Sequence, residues 1–499
     1  MKLLAVLLLS LLLCGCDPQD TEEVTSIIEP AEELEEVQPD AALPEELILP
    51  YLQQQTLDPL VCPDGIQQML GCLLYEPLFS LDEGFDPQPC LCRSYEYDPA
   101  TMSYLLQLEE KVRFSDGSTL QAQDVVTALQ RAKDTVRYGA RFAHVASIQA
   151  VGSTQLRITL TEPNERFPAL LEIPITKTNP TNKEIPLGTG PYLYLTDSSG
   201  SYLQENTDWW KGEALPLQRI ALRQVRDEDT ALWLFSSREL PFLTASLTQD
   251  TTVSLSGNVS LTELPTTVLH YLGCNTRSGL CADAALRAAL SRGIDRSTLT
   301  GAYLAGHADA ASFPLSPRSS LYPIEEEPSY SLVDYTGALA SAGWNRTAAL
   351  RLIVCADNSF KTAVAHSIAN SLTASGLTVE VQELDFADYR TALESGAYDL
   401  YLAEVKLTAD WDLKPLLASN GSLNLGGYSD PAMDSLLQQG IRTAAPAIAE
   451  LLVRDTPIIP LYFLRYTVLS TEGMLENATP TASNPFYSIS QWKFHFSTH

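Results

Sequence analysis

The sequence predicts an α/β protein of several domains, and three observations carry that expectation. Strand-like and helix-like periods alternate between Leu350 and Glu404, and consecutive βα units argue for a largely parallel sheet covered by helices. The stretch Tyr104–Arg131, YLLQLEEKVRFSDGSTLQAQDVVTALQR, reads as a strand, a tight turn and a helix in succession. At 499 residues the chain is long enough to bury two or three separate cores.

Taken in order, the chain opens with Lys2 and the apolar run Leu3–Leu13, which is too short to span a bilayer and reads as a secretory signal. The run ends in Leu13-Cys14-Gly15-Cys16, which resembles a bacterial lipobox with Cys16 as the lipidated residue; an ordinary secretory peptide with two incidental cysteines is the alternative. Two or more acyl chains on Cys16, at ~0.8 kcal/mol per buried CH₂, would anchor the mature protein stably. Residues 17–49 hold twelve Asp or Glu and no Lys or Arg, the composition of a solvated, disordered tether. The formal charge of −30 excludes nucleic acid and an anionic membrane surface as main partners.

The globular part begins at Leu57-Asp58-Pro59, with a helix expected over Asp64–Leu74 and strands over Ser94–Asp98 and Tyr104–Phe114. In the second strand Leu106, Leu108 and Val112 alternate with polar neighbours, the period of a half-buried strand. Asp116-Gly117 supplies the turn. The helix from Gln121 has an apolar stripe of Val125, Val126 and Leu129 and carries Asp124 in its first turn. Glutamine caps poorly, so the helix start is expected to be frayed by about 1 kcal/mol. Residues 138–168 read as a loop and two strands, Gln155–Leu160 alternating cleanly.

Pro186-Leu-Gly-Thr-Gly-Pro-Tyr192 forces a tight turn into a strand, and without a following Lys-Ser/Thr or helix it is not a phosphate loop. Trp209 and Trp210 in Asn206–Gly212 are expected to pack beside a surface turn. A strand at His270–Asn275 leads to a helix over Ala285–Arg296 with Leu286, Leu290 and Ile294 buried, leaving Arg287, Arg292 and Arg296 solvated or ion-paired. A helix over Tyr335–Trp344 follows, then strand Leu350–Cys355, helix Lys361–Ser375, strand Leu377–Leu384, helix Asp388–Ser395 and strand Tyr398–Glu404.

With Cys14 removed and Cys16 lipidated, seven cysteines remain. Cys274 and Cys281 bracket a short turn-rich segment and are the best disulfide pair, whereas Cys355 ends an apolar run as a buried thiol. Cys90-x-Cys92 has no second pair at zinc spacing, and the six histidines never pair closely, so neither a metal nor another cofactor is expected. No Gly-x-Ser-x-Gly elbow, His-Glu-x-x-His or Cys/His pair in a defined context is present, and no enzymatic activity is expected.

As a string of residues the chain resembles the bacterial extracellular solute-binding proteins of family 5, the oligopeptide- and dipeptide-binding type. The matching pieces are Tyr75-Glu76-Pro77-Leu78, the strand Tyr104-x-Leu106-x-Leu108, Val112-Arg113-Phe114 with Asp116-Gly117, and Ala122-Gln123-Asp124-Val125-Val126. They continue with Pro186–Tyr192, Asn206–Gly212, His270–Asn275 with the helix to Arg296, Ala342-Gly343-Trp344, Gly427–Leu436 and Thr456–Leu461. One departure is a helical part near 437–453 that is expected to be trimmed.

The resemblance implies a two-lobed, periplasmic-binding-protein-like α/β fold (type II, cluster C) with an extra small subdomain. Lobe I would comprise 50–80, 186–265 and 470–499, the subdomain 81–185 and the other lobe 266–469. It further implies a monomeric binding protein on the outer face of the cytoplasmic membrane, held by its lipid. There it would capture a peptide and pass it to an ABC permease and ATPase. Thr408-Ala-Asp-Trp-Asp-Leu-Lys-Pro415 resembles the family's passage in which an aspartate holds the peptide ammonium, which places that role on Asp410 and a pocket wall on Trp411. The alternative for Asp410 is an acid in a surface loop. Leu60, Val61 and Cys62 would offer the strand edge for backbone pairing with the peptide. Two other readings stay open: a family member that takes a nickel chelate or haem, and a sensor or adhesin on the same scaffold.

Overall fold

A computed structural model describes residues 43–248, 257–341, 348–374 and 376–497. The signal segment with Cys16, most of the acidic tether, Ala342-Gly343-Trp344 and Ser375 lie outside the described residues. No described helix is long and apolar enough to cross a membrane.

One four-stranded sheet has the order Ile48–Tyr51, Arg219–Gln224, Gly200–Glu205, Tyr192–Asp197, its first pair parallel and the others antiparallel. The helix Ile66–Leu74 buries Met69, Leu70, Leu73 and Leu74 against Leu49, Tyr192, Leu203 and Ile220 of this sheet. Gly190 shows why the turn Pro186–Tyr192 is rich in glycine. A Cβ there would stand 2.5 Å from the Leu74 carbonyl carbon, and its N–H donates to Leu74 O at 3.0 Å. The glycine permits the turn to lie directly on the end of the helix.

A second four-stranded antiparallel sheet, Cys92–Asp98, Ser103–Leu108, Gln155–Leu160 and Val145–Ala150, is covered by the helix Ala122–Lys133. Tyr104, Leu106 and Leu108 face Val125, Leu129, Leu156 and Ile158 in one core. The strand stops at Leu108, short of Phe114, because the chain turns away with Lys111 in a left-handed conformation (φ 69°). Val112 and Phe114 are nevertheless buried, which accounts for the longer alternation in the sequence. At the start of this helix Asp124 reaches back, its Oδ2 accepting the Gln121 N–H at 2.9 Å, the return half of a capping box.

The largest sheet is mixed, in the order Phe242–Ala245, Ile458–Thr471, Val259–Cys274, Leu400–Lys406, Ala349–Cys355, Thr378–Leu384, with Ala308–Ala310 added to Ile458–Thr471. Ala349–Cys355 is parallel to both Leu400–Lys406 and Thr378–Leu384, as the βα units require, and the helices Ser359–Ala374 and Phe386–Ser395 make the crossovers. The long strands Val259–Cys274 and Ile458–Thr471 pair along their length with a register shift between Pro265 and Leu269. On one side of the shift Leu264, Val468 and Leu469 join the cores of the first sheet and its flanking helix. On the other side Leu269, Leu272, Leu461 and Phe463 belong to the cores around the mixed sheet. Two adjacent strands thus carry the chain from one core to another.

Residues 437–453 are mostly helical, Pro431–Leu437 being followed by the fifteen-residue helix Ile441–Asp455. Two expectations are corrected. Arg287 and Arg296 are buried rather than solvated. Arg287 donates to the carbonyls of Cys281, Ala282, Asp455 and Thr456, and Arg296 to those of Ser291, Ala311 and Pro460. Each guanidinium satisfies carbonyls that helix ends and loops leave open. Leu60, Val61 and Cys62 form a turn, not a strand edge. Leu60 N donates to Asp58 Oδ1 (3.1 Å), and the Val61 and Cys62 amides donate to Asp58 O (3.1 and 2.8 Å). The carbonyls of Pro59 and Cys62 accept from Arg137, so the segment has few backbone groups left for a ligand.

Candidate functional site

The crossing of the two long strands forms the floor of a cavity of about 400 Å³. That is within the roughly 300–1,000 Å³ of small-molecule pockets. Ser246 and Thr248 line it from the segment after Phe242–Ala245. His270 comes from one long strand and Tyr462 and Leu464 from the other. Glu404 comes from Leu400–Lys406, and Asp357, Asn358, Phe360 and Lys361 from the start of the helix Ser359–Ala374. Asn358 Nδ2 donates across the cavity to Thr248 O at 3.2 Å.

The placement follows from strand periodicity. His270 is paired with Glu404 on one side and with Tyr462 on the other, so the three stand on one face of the sheet. Two residues along each strand on the same face are Leu272 and Leu402, both buried in apolar core. The polar cavity is therefore the continuation of an apolar face in which His270 and Glu404 take the next positions.

His270 is 4% exposed. Its ring stacks on Tyr462 (centroids 4.9 Å apart, 23° between planes), and Nδ1 lies 3.2 Å from the Tyr462 hydroxyl. Nε2 lies 3.1 Å from Glu404 Oε2, where an Nε2–H of the neutral ring is directed at the carboxylate. Burial lowers the imidazole pKa and keeps the ring neutral. Glu404 is held down to about 2 by the imidazole and by Lys361, whose Nζ is 3.4 Å away. The same ammonium lies 3.3 Å from Asp357 Oδ1. Two half-exposed carboxylates thus share one lysine beside a neutral histidine.

Asp410 and Trp411 do not line this cavity. Asp410 is 6% exposed; its Oδ2 accepts from Asn164 Nδ2 at 2.8 Å, and its Oδ1 has no partner in the protein. Trp411 is fully buried in a left-handed conformation (φ 59°), edge-on to Phe85 and Phe463. Both stand at a junction with residues 162–166, where Arg166 donates to Phe85 O, Ala409 O and Asp86. Leu60 and Cys62 are buried, Val61 is exposed, and none reaches the cavity. Cys274 and Cys281 are both buried free thiols in side-chain contact, and the hydrogen bond to Cys274 and burial push the Cys281 thiol far up. Among the described residues no group of His, Cys, Asp or Glu is arranged to hold a metal ion.

Sequence reasoning missed His270, Asp357, Lys361 and Glu404 as a group. A signal existed in the two strands. Leu400 and Leu402 predict a third apolar residue where Glu404 stands, and Cys274 and Leu272 predict one where His270 stands. Two polar interruptions of apolar stripes, meeting across a strand pair, mark a cavity.

The profile described as bacterial extracellular solute-binding proteins, family 5 (middle region), matches residues 86–423. Among curated proteins, the glutathione-binding protein GsiB of Shigella flexneri is 27% identical over 443 residues, 81% of this chain and 86% of the relative. GsiB of Escherichia coli (strain K12) gives the same identity and coverage. Among solved structures, HbpA2 from Haemophilus parasuis superposes with a TM-score of 0.75 at 19% identity, covering 90% of this chain and 99% of that one. The ABC transporter substrate-binding protein CtaP from Listeria monocytogenes gives 0.73 at 21%, covering 91% and 99%. These likenesses show the fold, a two-lobed periplasmic-binding-protein-like α/β architecture with an additional small subdomain.

Proposed function

The chain belongs to the bacterial extracellular solute-binding proteins, family 5, and on that premise we propose that it captures a short peptide in the cavity at the strand crossing and presents it to an ABC permease and its ATPase. The observation that carries the reading is the cavity itself, floored by strands common to two cores and lined by both signs of charge. With lobe I as 50–80, 186–265 and 470–499, the subdomain as 81–185 and the other lobe as 266–469, Ser246 and Thr248 come from lobe I and the remaining lining residues from the other lobe. A solute between them is then enclosed by a hinge motion that the two long strands absorb, and the closed shape is what the permease reads. The curated relatives named for glutathione make a tripeptide-sized solute the first candidate. The anchor is the diacylglyceryl Cys16, with the acidic tether as leash, which places a monomer on the outer face of the cytoplasmic membrane.

The test is native mass spectrometry of the full-length chain purified without refolding, followed by thermal melting with glutathione and with a di- to pentapeptide pool. A co-purifying peptide mass and a raised melting temperature are expected, with Lys361→Ala removing most of the shift. No shift with any peptide overturns the peptide reading. A shift lost in Asp410→Ala and kept in Lys361→Ala moves the site to the Asp410 junction.

A further inference from the structure

We propose that residues 162–166 are a strap that fastens the part of the chain at 81–185 onto the part at 266–469 and holds the solute-free protein closed. Four of these five residues, Glu162, Asn164, Glu165 and Arg166, reach across with their side chains. The Lys414 ammonium donates to Glu162 Oε1, and Asn164 Nδ2 donates to Asp410 Oδ2 at 2.8 Å. Arg166 Nη2 donates to Ala409 O at 3.3 Å. Glu165 pairs with Arg442 at 3.8 Å, an exposed contact that contributes little by itself.

The strap is braced on its own side. It follows the strand Gln155–Leu160, the Thr161 N–H donates to His144 O at 2.9 Å, and the Tyr104 hydroxyl donates to Asn164 O at 2.6 Å. Asn164 Oδ1 accepts the Arg166 N–H at 3.0 Å, which closes an Asx turn. Arg166 is held at the same time by Asp86 Oδ1 at 2.7 Å and Phe85 O at 2.9 Å. The strap therefore moves with its own sheet, and its contacts across the junction form or break together.

The junction it closes is balanced between opposing effects. Among the described residues, Phe85 is the only one of 81–185 in the cores around the mixed sheet, where it meets Trp411 edge-on. Covering that indole favours the closed state. Arg166 Nε, Asp410 Oδ1 and Trp411 Nε1 are buried there without a partner in the protein, and opening lets water reach them. With these two effects opposed, the charge-assisted contacts of the strap decide the balance. Glu162 and Lys414 are only 33% and 27% exposed, so solvent screens their pair less than one on the open surface.

The experiment is hydroxyl-radical footprinting of the full-length chain, with small-angle scattering on the same samples. Solute is first removed by exhaustive dialysis, and its absence is checked by native mass spectrometry. The variants are Glu162→Gln, Lys414→Met and the two combined. Trp411 is the reporter, fully buried in the closed form; the buried Trp492 and the exposed Trp233 are internal references. Each single substitution should raise Trp411 oxidation roughly tenfold, the magnitude of one charge-assisted hydrogen bond, and enlarge the radius of gyration, with Trp492 unchanged. The double variant should go no further than the larger single effect, because both substitutions break the same contact. The strap is overturned if Trp411 in the parent is oxidised as fast as Trp233, if either single substitution leaves Trp411 protected, if the two effects add, or if Trp492 is oxidised faster as well. No solute enters these readouts, so they decide the strap independently of the peptide reading.

Discussion

Replacing Glu76 tests the packing that brings the turn Pro186–Tyr192 and the tryptophan loop onto the end of the first helix. The carboxylate is 6% exposed and accepts three hydrogen bonds: Trp210 Nε1 at 2.7 Å, Thr189 Oγ1 at 2.9 Å and Trp209 Nε1 at 3.3 Å. Glu76→Ala strands three donors in a site that water does not readily reach, at about 1–3 kcal/mol each. Shared partners make the costs less than additive, so a loss of about 3–6 kcal/mol is expected. Glu76→Gln keeps a carbonyl acceptor and should lose only about 1–2 kcal/mol. Burial raises the Glu76 pKa despite Lys211 and the three donors, so the native site favours the protonated form. Between the ordinary carboxylate pKa near 4.5 and the raised native value the folded state binds more protons than the unfolded one, and stability falls as pH rises through that window. Glutamine carries no such slope. The deficit of Glu76→Gln relative to the parent should therefore be smaller at pH 7 than at pH 4.5. Urea denaturation of the two variants and the parent at both pH values reads all three quantities. A glutamine deficit that grows toward pH 7, or equals that of alanine, would refute the reasoning by showing that the buried anion itself is stabilising.

Two other outcomes follow from buried groups. Arg287→Met leaves the carbonyls of Cys281, Ala282, Asp455 and Thr456 without their donor and should lower the denaturation midpoint by an amount equivalent to about 3–5 kcal/mol, whereas the exposed Arg390→Met should cost less than about 0.5 kcal/mol. Cys274 and Cys281, buried in contact on an extracytoplasmic protein, should be recovered as a linked pair in a non-reduced peptide map, with Cys355 free. Closing that eight-residue loop is worth about 2.5 kcal/mol in the chain-entropy account, and alkylation of both thiols without reductant would count against the link.

What was legible in the sequence was mostly periodic. The alternation in Gln155–Leu160, the Val125–Val126–Leu129 stripe and the βα order from Leu350 to Glu404 all report a residue's own face and need no distant partner. The family strings added the architecture, because the order of many short motifs is hard to reach otherwise. The errors have a common origin. The family resemblance implies a strand edge at Leu60–Cys62, but Asp58 and Arg137 claim its amides and carbonyls, and Arg137 is more than seventy residues away. A charged residue between apolar positions is usually solvated or ion-paired, but Arg287 is buried on four carbonyls, two of which lie 168 and 169 residues on.

The junction around Asp410 and the cavity around Glu404 divide the ligand question between two kinds of polar site. At the junction Arg166 Nε, Asp410 Oδ1 and Trp411 Nε1 all lack a partner in the protein, and each such group costs about 1–3 kcal/mol. The contacts that hold residues 162–166 against 409–414 are polar: Asn164 with Asp410, Arg166 with Ala409 O, and Glu162 with Lys414. Trp411 adds an apolar contact edge-on to Phe85, so parting the junction would expose a buried indole as well as wet the three unpartnered atoms. The cavity differs in that its open valences face a space already large enough for a ligand. His270 and Glu404 belong to strands fixed by apolar neighbours at Leu272 and Leu402. His270 and Glu404 are thus held in place by an apolar sheet face, whereas the partnerless atoms at the Asp410 junction sit among polar contacts and beside the buried Trp411 ring.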